Sequence, residues 1–172
     1  MKNIYVVLSQ SGSMPSRFLK FFTHDAYNHV SIALTPTLEQ MYSFARLKPN
    51  NPFIGGFVEE GKGVGTFKKF NKAVVKVIEL EVADEKYNSI KYFIEYFKRH
   101  KEQFKYNYLG VFLAALKLNW RPKHKFYCSQ FVKVCLSCFD IANACDLPNV
   151  VKPMDFLKLD NKKIVYTGLF IN

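Results

Sequence analysis

Cys128 lies in the segment 126–132, FYCSQFV, at a position that suits a nucleophile. The residues after it predict a helix, because apolar side chains recur there at spacings of three and four. The segment before it, NWRPKHKFY, is a basic loop interrupted by proline. Cys128 is therefore expected at a helix N-terminus, where unpaired backbone N–H groups and nearby cations stabilise a thiolate. A thiolate can attack a carbonyl carbon; the alternative is a small buried hydrophobe that opens a core helix.

A cysteine nucleophile needs a base, which is usually a histidine. The chain has four candidates: His24 in an irregular loop, His29 at the start of a segment rich in β-branched residues, His100 among charges on an exposed helix, and His124 in the basic loop. Of the four, His29 is the one whose ring a strand would hold in a fixed position. A lone histidine on a strand is nevertheless more often structural than catalytic.

The other three cysteines, Cys135, Cys138 and Cys145, fall within the same predicted helix and its exit. An intracellular chain keeps such thiols reduced. The C-x-x-C spacing of Cys135 and Cys138 falls late in a helix, whereas a redox pair is expected next to a βαβ pattern. Core packing is therefore favoured over redox or zinc chemistry, and we expect neither a metal nor a cofactor.

The length of 172 residues predicts a single domain, 1–172, and the net charge is +11. Cations concentrate at 86–105, as on a solvated helix face, and at 117–125, beside Cys128. The second group predicts attraction of an anionic substrate or surface. No recognisable nucleic-acid-binding motif accompanies the charge. Because the sequence shows neither a signal peptide nor an apolar run of membrane-spanning length, we expect a cytoplasmic protein.

The local patterns predict strands first, then helices, then a final strand. The predicted strands are 3–9, 29–35, 40–46, 73–82 and 163–168, with a glycine-rich loop at 50–65 that holds at most one short strand. The predicted helices are a short one around 16–22, then 84–103, a more buried one at 106–118, and the Cys128 helix. This grouping favours an α+β fold, in which an antiparallel β-sheet of about five to six strands packs against about three helices.

Four segments resemble the NlpC-type, papain-like cysteine peptidases and amidases. HVSIAL at 29–34 and MYSF at 41–44 are similar to that family's histidine strand and the strand after it. FYCSQFV is similar to the nucleophile motif, and KYNYLG at 105–110 to a tyrosine-containing segment. The histidine precedes the cysteine here, as in the circularly permuted branch of the family, which includes enzymes like lecithin–retinol acyltransferase. The resemblance covers most of the chain and implies a permuted papain-like fold.

The resemblance also implies roles for individual residues. Cys128 would be the nucleophile, His29 the base, and Ser43 the residue that orients the base. Ser43 departs from the family pattern, which has His, Glu, Asn or Gln there, and a hydroxyl cannot offset the charge of an imidazolium. Acidic residues nearby in the sequence are alternative orienting groups: Glu39, Glu59 and Glu60. A small polar residue on a half-exposed strand is the other interpretation of Ser43.

Three further residues are predicted to bind the substrate or the oxyanion. Tyr106 matches the family position whose hydroxyl helps to bind the oxyanion, although an aromatic core residue at a helix start fits it equally well. Tyr127 and Ser129 flank the nucleophile and are predicted to contact the substrate.

The resemblance implies acyl transfer through a thioester on Cys128. The expected substrate is small and peptide-like or acyl-bearing, with an amide of a cell-wall-type peptide as the leading candidate; an anionic substrate would suit the charge. One alternative is a lipid acyltransferase or thioesterase that makes peripheral membrane contact through Phe21, Phe22, Trp120 and Phe126. Another is a non-catalytic ligand-binding domain on the same fold.

Overall fold

The computed structural model describes residues 1–10, 25–48, 51–64, 67 and 73–170. The predicted short helix around 16–22 lies outside these residues, as do the candidate base His24 and the candidate membrane contacts Phe21 and Phe22.

The described residues form a mixed α+β structure around one eight-stranded sheet. Its strands are β1 (Lys2–Gln10), β2 (His29–Ala33), β3 (Met41–Lys48), β4 (Asn51–Glu60), β5 (Val74–Val82), β6 (Lys105–Tyr106), β7 (Lys125–Phe126) and β8 (Lys162–Leu169). Their order across the sheet is β7-β6-β4-β3-β2-β1-β5-β8. All neighbouring strands are antiparallel except β6 and β7, which are parallel. The α+β class is thus confirmed, and the sheet is larger than predicted.

The main correction to the predicted sheet is β4, a ten-residue strand where a glycine-rich loop was expected. Its glycines mark a close approach of another strand rather than a turn. A Cβ atom on Gly55 would lie 2.7 Å from the Cβ atom of Tyr106, and one on Gly56 would lie 3.0 Å from the carbonyl oxygen of Phe104. The two glycines therefore let the short strand β6 pair with β4, which brings Tyr106 to the sheet.

Three α-helices follow or interrupt the later strands: α1 (Asp84–Arg99), α2 (Tyr108–Ala115) and α3 (Cys128–Ser137). Short 3-10 helices lie at Lys101–Gln103, Ala144–Asp146 and Pro153–Lys158. No helix among the described residues has both the length and the apolar character needed to cross a bilayer.

Helix α2 is the element whose burial was predicted wrongly. Its side chains Leu109, Phe112 and, just beyond its end, Leu116 are exposed rather than buried. An apolar sequence predicts burial only if another element covers it, and hydrophobicity alone does not identify that element.

Two hydrophobic clusters lie on opposite faces of the sheet. Alternate residues of β1 belong to different clusters, Val6 to one and Val7 to the other. The larger cluster contains the inner sides of α1 and α3. In it, the ring of Phe131 packs against Phe44, with centroids 5.3 Å apart, and against Phe97, with centroids 5.2 Å apart. Phe131 therefore anchors the first turn of α3, which begins three residues earlier at Cys128.

Candidate active site

The His29 ring is hydrogen bonded to a buried carboxylate. His29 is the first residue of β2, and its Nε2 atom lies 2.7 Å from Oε1 of Glu60, the last residue of β4. The Glu60 side chain is 3% exposed and that of His29 is 19% exposed. The Ser31 hydroxyl donates a second hydrogen bond to the same carboxylate oxygen. A buried carboxylate needs such partners, and here they fix its position against the ring.

The Cys128 side chain lies beside the same ring. Burial alone lowers the pKa of His29, but the charge of Glu60 and the hydrogen bonds to Cys128 and Glu60 more than compensate, so that this pKa is raised well above its ordinary value. A raised pKa favours the protonated ring, and an adjacent imidazolium in general favours the thiolate form of a cysteine. The structure thus brings Cys128 and His29 together.

Cys128 is the first residue of α3 and is 6% exposed. Tyr127 before it has an extended backbone, and the N–H of Phe131 donates to the Tyr127 carbonyl at 3.1 Å in the first turn. The N–H groups of Cys128 and Ser129 belong to that turn, where a helix offers no acceptor. Such donors next to a nucleophile can hydrogen bond an oxyanion that forms on the attacked carbonyl.

Ser43, predicted to orient His29, has a different partner. Its buried hydroxyl donates to the backbone carbonyl of Val30 at 2.7 Å. The predicted alternation along β3 is confirmed, since Met41 belongs to one hydrophobic cluster while Tyr42 and Phe44 belong to the other. The error lies in the choice of strand: the group that contacts the ring comes from β4, one strand further across the sheet.

Of the three acidic alternatives, only Glu60 is buried against the ring. Glu39 is exposed, and Glu59 forms a salt bridge with Lys98 at 2.8 Å. Glu60 can balance the charge of an imidazolium, which a serine cannot. The weakness noted for Ser43, whose hydroxyl cannot offset the charge of an imidazolium, therefore does not apply to Glu60.

The other described histidines have partners elsewhere. The Nδ1 atom of His100 lies 2.8 Å from the Tyr96 carbonyl oxygen on α1. His124 has a left-handed backbone with φ of 61°, and its ring packs near Phe104 with centroids 5.5 Å apart.

Tyr106 and Tyr127 both lie near the sulfur and stay neutral. The pKa of Tyr106 is raised well above 10 by burial and then by the charge of Cys128. The same two causes raise the pKa of Tyr127 to about 12. Each phenol therefore keeps its proton at neutral pH and can donate a hydrogen bond. Tyr106 also packs against the main hydrophobic cluster, so both of its predicted roles fit the geometry.

The side chain of Ser129, predicted to contact substrate, has a structural partner instead. Its buried hydroxyl donates to the carbonyl of Val151 at 2.8 Å. This bond attaches the start of α3 to the segment after the Ala144–Asp146 helix. Only the backbone N–H of Ser129 remains suited to a substrate oxygen.

Sequence reasoning missed two buried amides that support the start of the Cys128 helix. Oδ1 of Asn107 accepts from the N–H of Gly110 at 2.9 Å and caps α2, while its Nδ2 donates to Oε1 of Gln130 at 3.2 Å. The same Gln130 oxygen accepts from the N–H of Tyr127 at 3.3 Å. The start of α2 is thereby joined to the start of α3. A glutamine at the third position of a helix is a capping signal that could have revealed this link.

The remaining cysteines do not join the site. Cys135 is fully buried, and burial raises the pKa of its thiol; Cys138 and Cys145 are exposed. Cys135 and Cys138 thus lie in different environments despite their spacing. Among the described residues, no group of three or more His, Cys, Asp or Glu side chains is arranged to hold a metal ion.

No protein-family model, characterised protein or solved structure matches this chain. Its function must therefore be inferred from the geometry of these residues.

Proposed function

We propose that the protein is a cysteine hydrolase that works by acyl transfer, with Cys128 as nucleophile, His29 as acid and base, and Glu60 as the group that orients and charges the ring. The observation that supports this most strongly is the His29 ring itself, placed between a buried carboxylate and a cysteine at a helix start. A carboxylate, an imidazole and a thiol in this order form the arrangement that activates a cysteine nucleophile.

In the proposed first half-reaction, the Cys128 sulfur attacks the carbonyl carbon of an amide and forms an S–C bond. The charge that develops on the carbonyl oxygen is stabilised by the N–H groups of Cys128 and Ser129 and by the Tyr106 hydroxyl. The His29 imidazolium gives its proton to the leaving nitrogen as the C–N bond breaks. The products are a free amine, a thioester on Cys128 and a neutral imidazole.

In the second half-reaction, neutral His29 removes a proton from water, and the resulting hydroxide oxygen attacks the thioester carbon. The C–S bond breaks, and the sulfur leaves as a thiolate. The acid product departs, and the thiolate–imidazolium pair is restored. Glu60 stabilises the imidazolium without taking its proton.

The permuted papain-like fold is part of the same proposal. It is supported by the chain order, in which the histidine strand β2 precedes the helix that begins at Cys128, and by the motif resemblance. An amide of a cell-wall-type peptide is the proposed substrate. A non-catalytic binding domain is less well supported, because a packing role requires neither the buried carboxylate nor its contact with the ring.

The test is to trap the acyl-enzyme with p-nitrophenyl acetate and to locate the acetyl group by peptide mass spectrometry. We expect wild type to release p-nitrophenol in a burst and to carry the acetyl group on Cys128. Cys128→Ala should show no burst, whereas Cys138→Ala, which removes an exposed thiol elsewhere on the chain, should behave as wild type. Hydrolysis of peptide amides is then measured on the same variants. An acetyl group on Cys138 or Cys145 in place of Cys128 would contradict the proposed nucleophile.

A further inference from the structure

Helix α2 exposes a continuous apolar face, although most helices hide theirs. Leu109 is 50% exposed, Phe112 is 64% exposed and Leu116 is 58% exposed. Positions separated by three and four residues lie on one side of a helix, so these side chains form a single stripe. The stripe continues past the helix end with Leu118, 55% exposed, and Trp120, 36% exposed.

Cations surround this stripe, and acidic residues are missing from its sequence neighbourhood. Residues 103–139 contain neither Asp nor Glu. The exposed cations that flank the stripe along the chain are Lys105, Lys117, Arg121, Lys123 and Lys125. Exposed apolar side chains therefore lie beside a group of cations. This combination complements a membrane surface, whose headgroups are anionic and whose interior is apolar.

We propose that residues 108–125, hereafter the docking segment, bind the surface of an anionic lipid bilayer. An eight-residue helix is about 12 Å long and cannot cross the hydrocarbon layer, but it can lie in the interface with its apolar side inserted. Lysine and arginine then contact the lipid phosphates, and the indole of Trp120 lies at the boundary between apolar and polar layers, where tryptophan is enriched. A second protein surface could cover the leucines, but the uniform positive charge is best satisfied by anionic headgroups.

Phe126, which the sequence suggested as a membrane contact, is not part of this surface. Its ring is partly buried and packs against Phe44 with centroids 5.2 Å apart. Of the membrane contacts predicted from sequence, Trp120 is the one that the described residues place in the docking segment.

The docking segment is directly connected to the candidate active site. Asn107 caps α2 and donates to Gln130 at the start of the Cys128 helix, and its amide also donates to the Trp120 carbonyl at 3.2 Å. Binding of α2 to a bilayer would therefore hold the nucleophile at a fixed distance from the lipid surface. If the proposed hydrolase activity is also correct, on which this step rests, its substrate is an amide or ester presented at that surface.

Trp120 is the only tryptophan in the chain, so its fluorescence reports on the docking segment alone. The experiment mixes the full chain with vesicles of phosphatidylcholine, with or without phosphatidylglycerol, and measures both co-sedimentation and Trp120 emission. We expect binding and a blue shift only with phosphatidylglycerol, weakening as salt is raised. Brominated acyl chains should quench Trp120, which contact between two protein copies would not produce.

Matched variants separate the apolar and the charged contributions. Phe112→Ser and Lys123→Glu should each weaken vesicle binding by about tenfold or more. The controls are Tyr92→Ser, which removes a 76% exposed aromatic from α1, and Lys91→Glu beside it; both should bind as wild type. Cys128→Ala should also bind as wild type, so a failed activity test and a failed binding test remain distinct.

Three results would overturn the proposal. They are the absence of vesicle binding, binding that is equal with and without phosphatidylglycerol, and equal loss of binding in Phe112→Ser and Tyr92→Ser. A wild-type dimer that Phe112→Ser converts to a monomer, without lipid binding by either, would assign the stripe to a second copy of the chain.

Discussion

Cys128 and Cys135 lie on the same helix, seven residues apart, and both are buried in the main hydrophobic cluster, but their polar neighbours differ. Cys128 is the first residue of α3 and lies beside the His29 ring. Cys135 is fully buried in the main hydrophobic cluster, where burial raises the pKa of its thiol. The difference indicates that the position on the helix and the partner across from it, rather than the residue type, determine the environment of each thiol.

The largest expected effect comes from Glu60→Gln, which removes the charge that sets Cys128 apart. The neighbouring charge raises the pKa of His29, so its loss lowers that pKa and depletes the imidazolium at neutral pH. Because the thiolate–imidazolium pair is lost as pH rises through the pKa of the ring, the alkaline limb of the acylation rate should move to lower pH. We expect kcat/KM for the activated ester at neutral pH to fall by roughly tenfold to a hundredfold.

The matched control is Glu59→Gln, a substitution at the adjacent residue, whose carboxylate pairs with Lys98 at the surface. It should leave both the acylation rate and the pH profile unchanged. Titration of the His29 ring by NMR gives the shift directly. If the alkaline limb of the acylation rate is unchanged in Glu60→Gln, the Glu60 carboxylate stabilises the packing of its strand and does not set the pKa of the His29 ring.

The second effect is on stability. Here the substitution of Cys135 should cost more than that of Cys128, whereas the substitution of Cys128 should cost more in the reaction. Cys135→Ala leaves a small cavity in a packed core and should lower the free energy of unfolding by about 1–2 kcal/mol. Cys128→Ala removes a sulfur at the edge of the core and should lower it by about 1 kcal/mol or less. Urea unfolding measures both values, and Cys135→Ala should keep its burst with the activated ester. If folded Cys135→Ala loses the burst, Cys135 takes part in the reaction and is not only a packing residue.

The sequence singled out Cys128 and His29 because each belongs to a short local pattern. Cys128 follows a proline-containing loop and opens a periodic apolar segment, and His29 opens a segment rich in β-branched residues. Both elements are present in the structure, so local chemistry was sufficient to place each side chain on the correct element.

The choices that the sequence left open or missed depend on contacts between distant segments. Glu60, one of three acidic alternatives, meets His29 only because β4 extends ten residues, and the glycines that suggested a loop are there to admit β6. The choice of Ser43 assumed that the strand after the histidine supplies the orienting residue, whereas the carboxylate comes from the next strand. Likewise, the exposure of α2 follows from what the rest of the fold leaves uncovered, which its own composition cannot specify.

The most direct test of the central claim is the pH dependence of alkylation at each cysteine, measured with limiting iodoacetamide and peptide mass spectrometry. A thiol without a cationic partner is largely protonated and unreactive at about pH 6. We predict that Cys128 is alkylated first at that pH, ahead of the more exposed Cys138 and Cys145, and that Glu60→Gln removes this preference. Faster labelling of Cys138 or Cys145 at about pH 6, with Cys128 reacting only at alkaline pH, would contradict the thiolate–imidazolium pair.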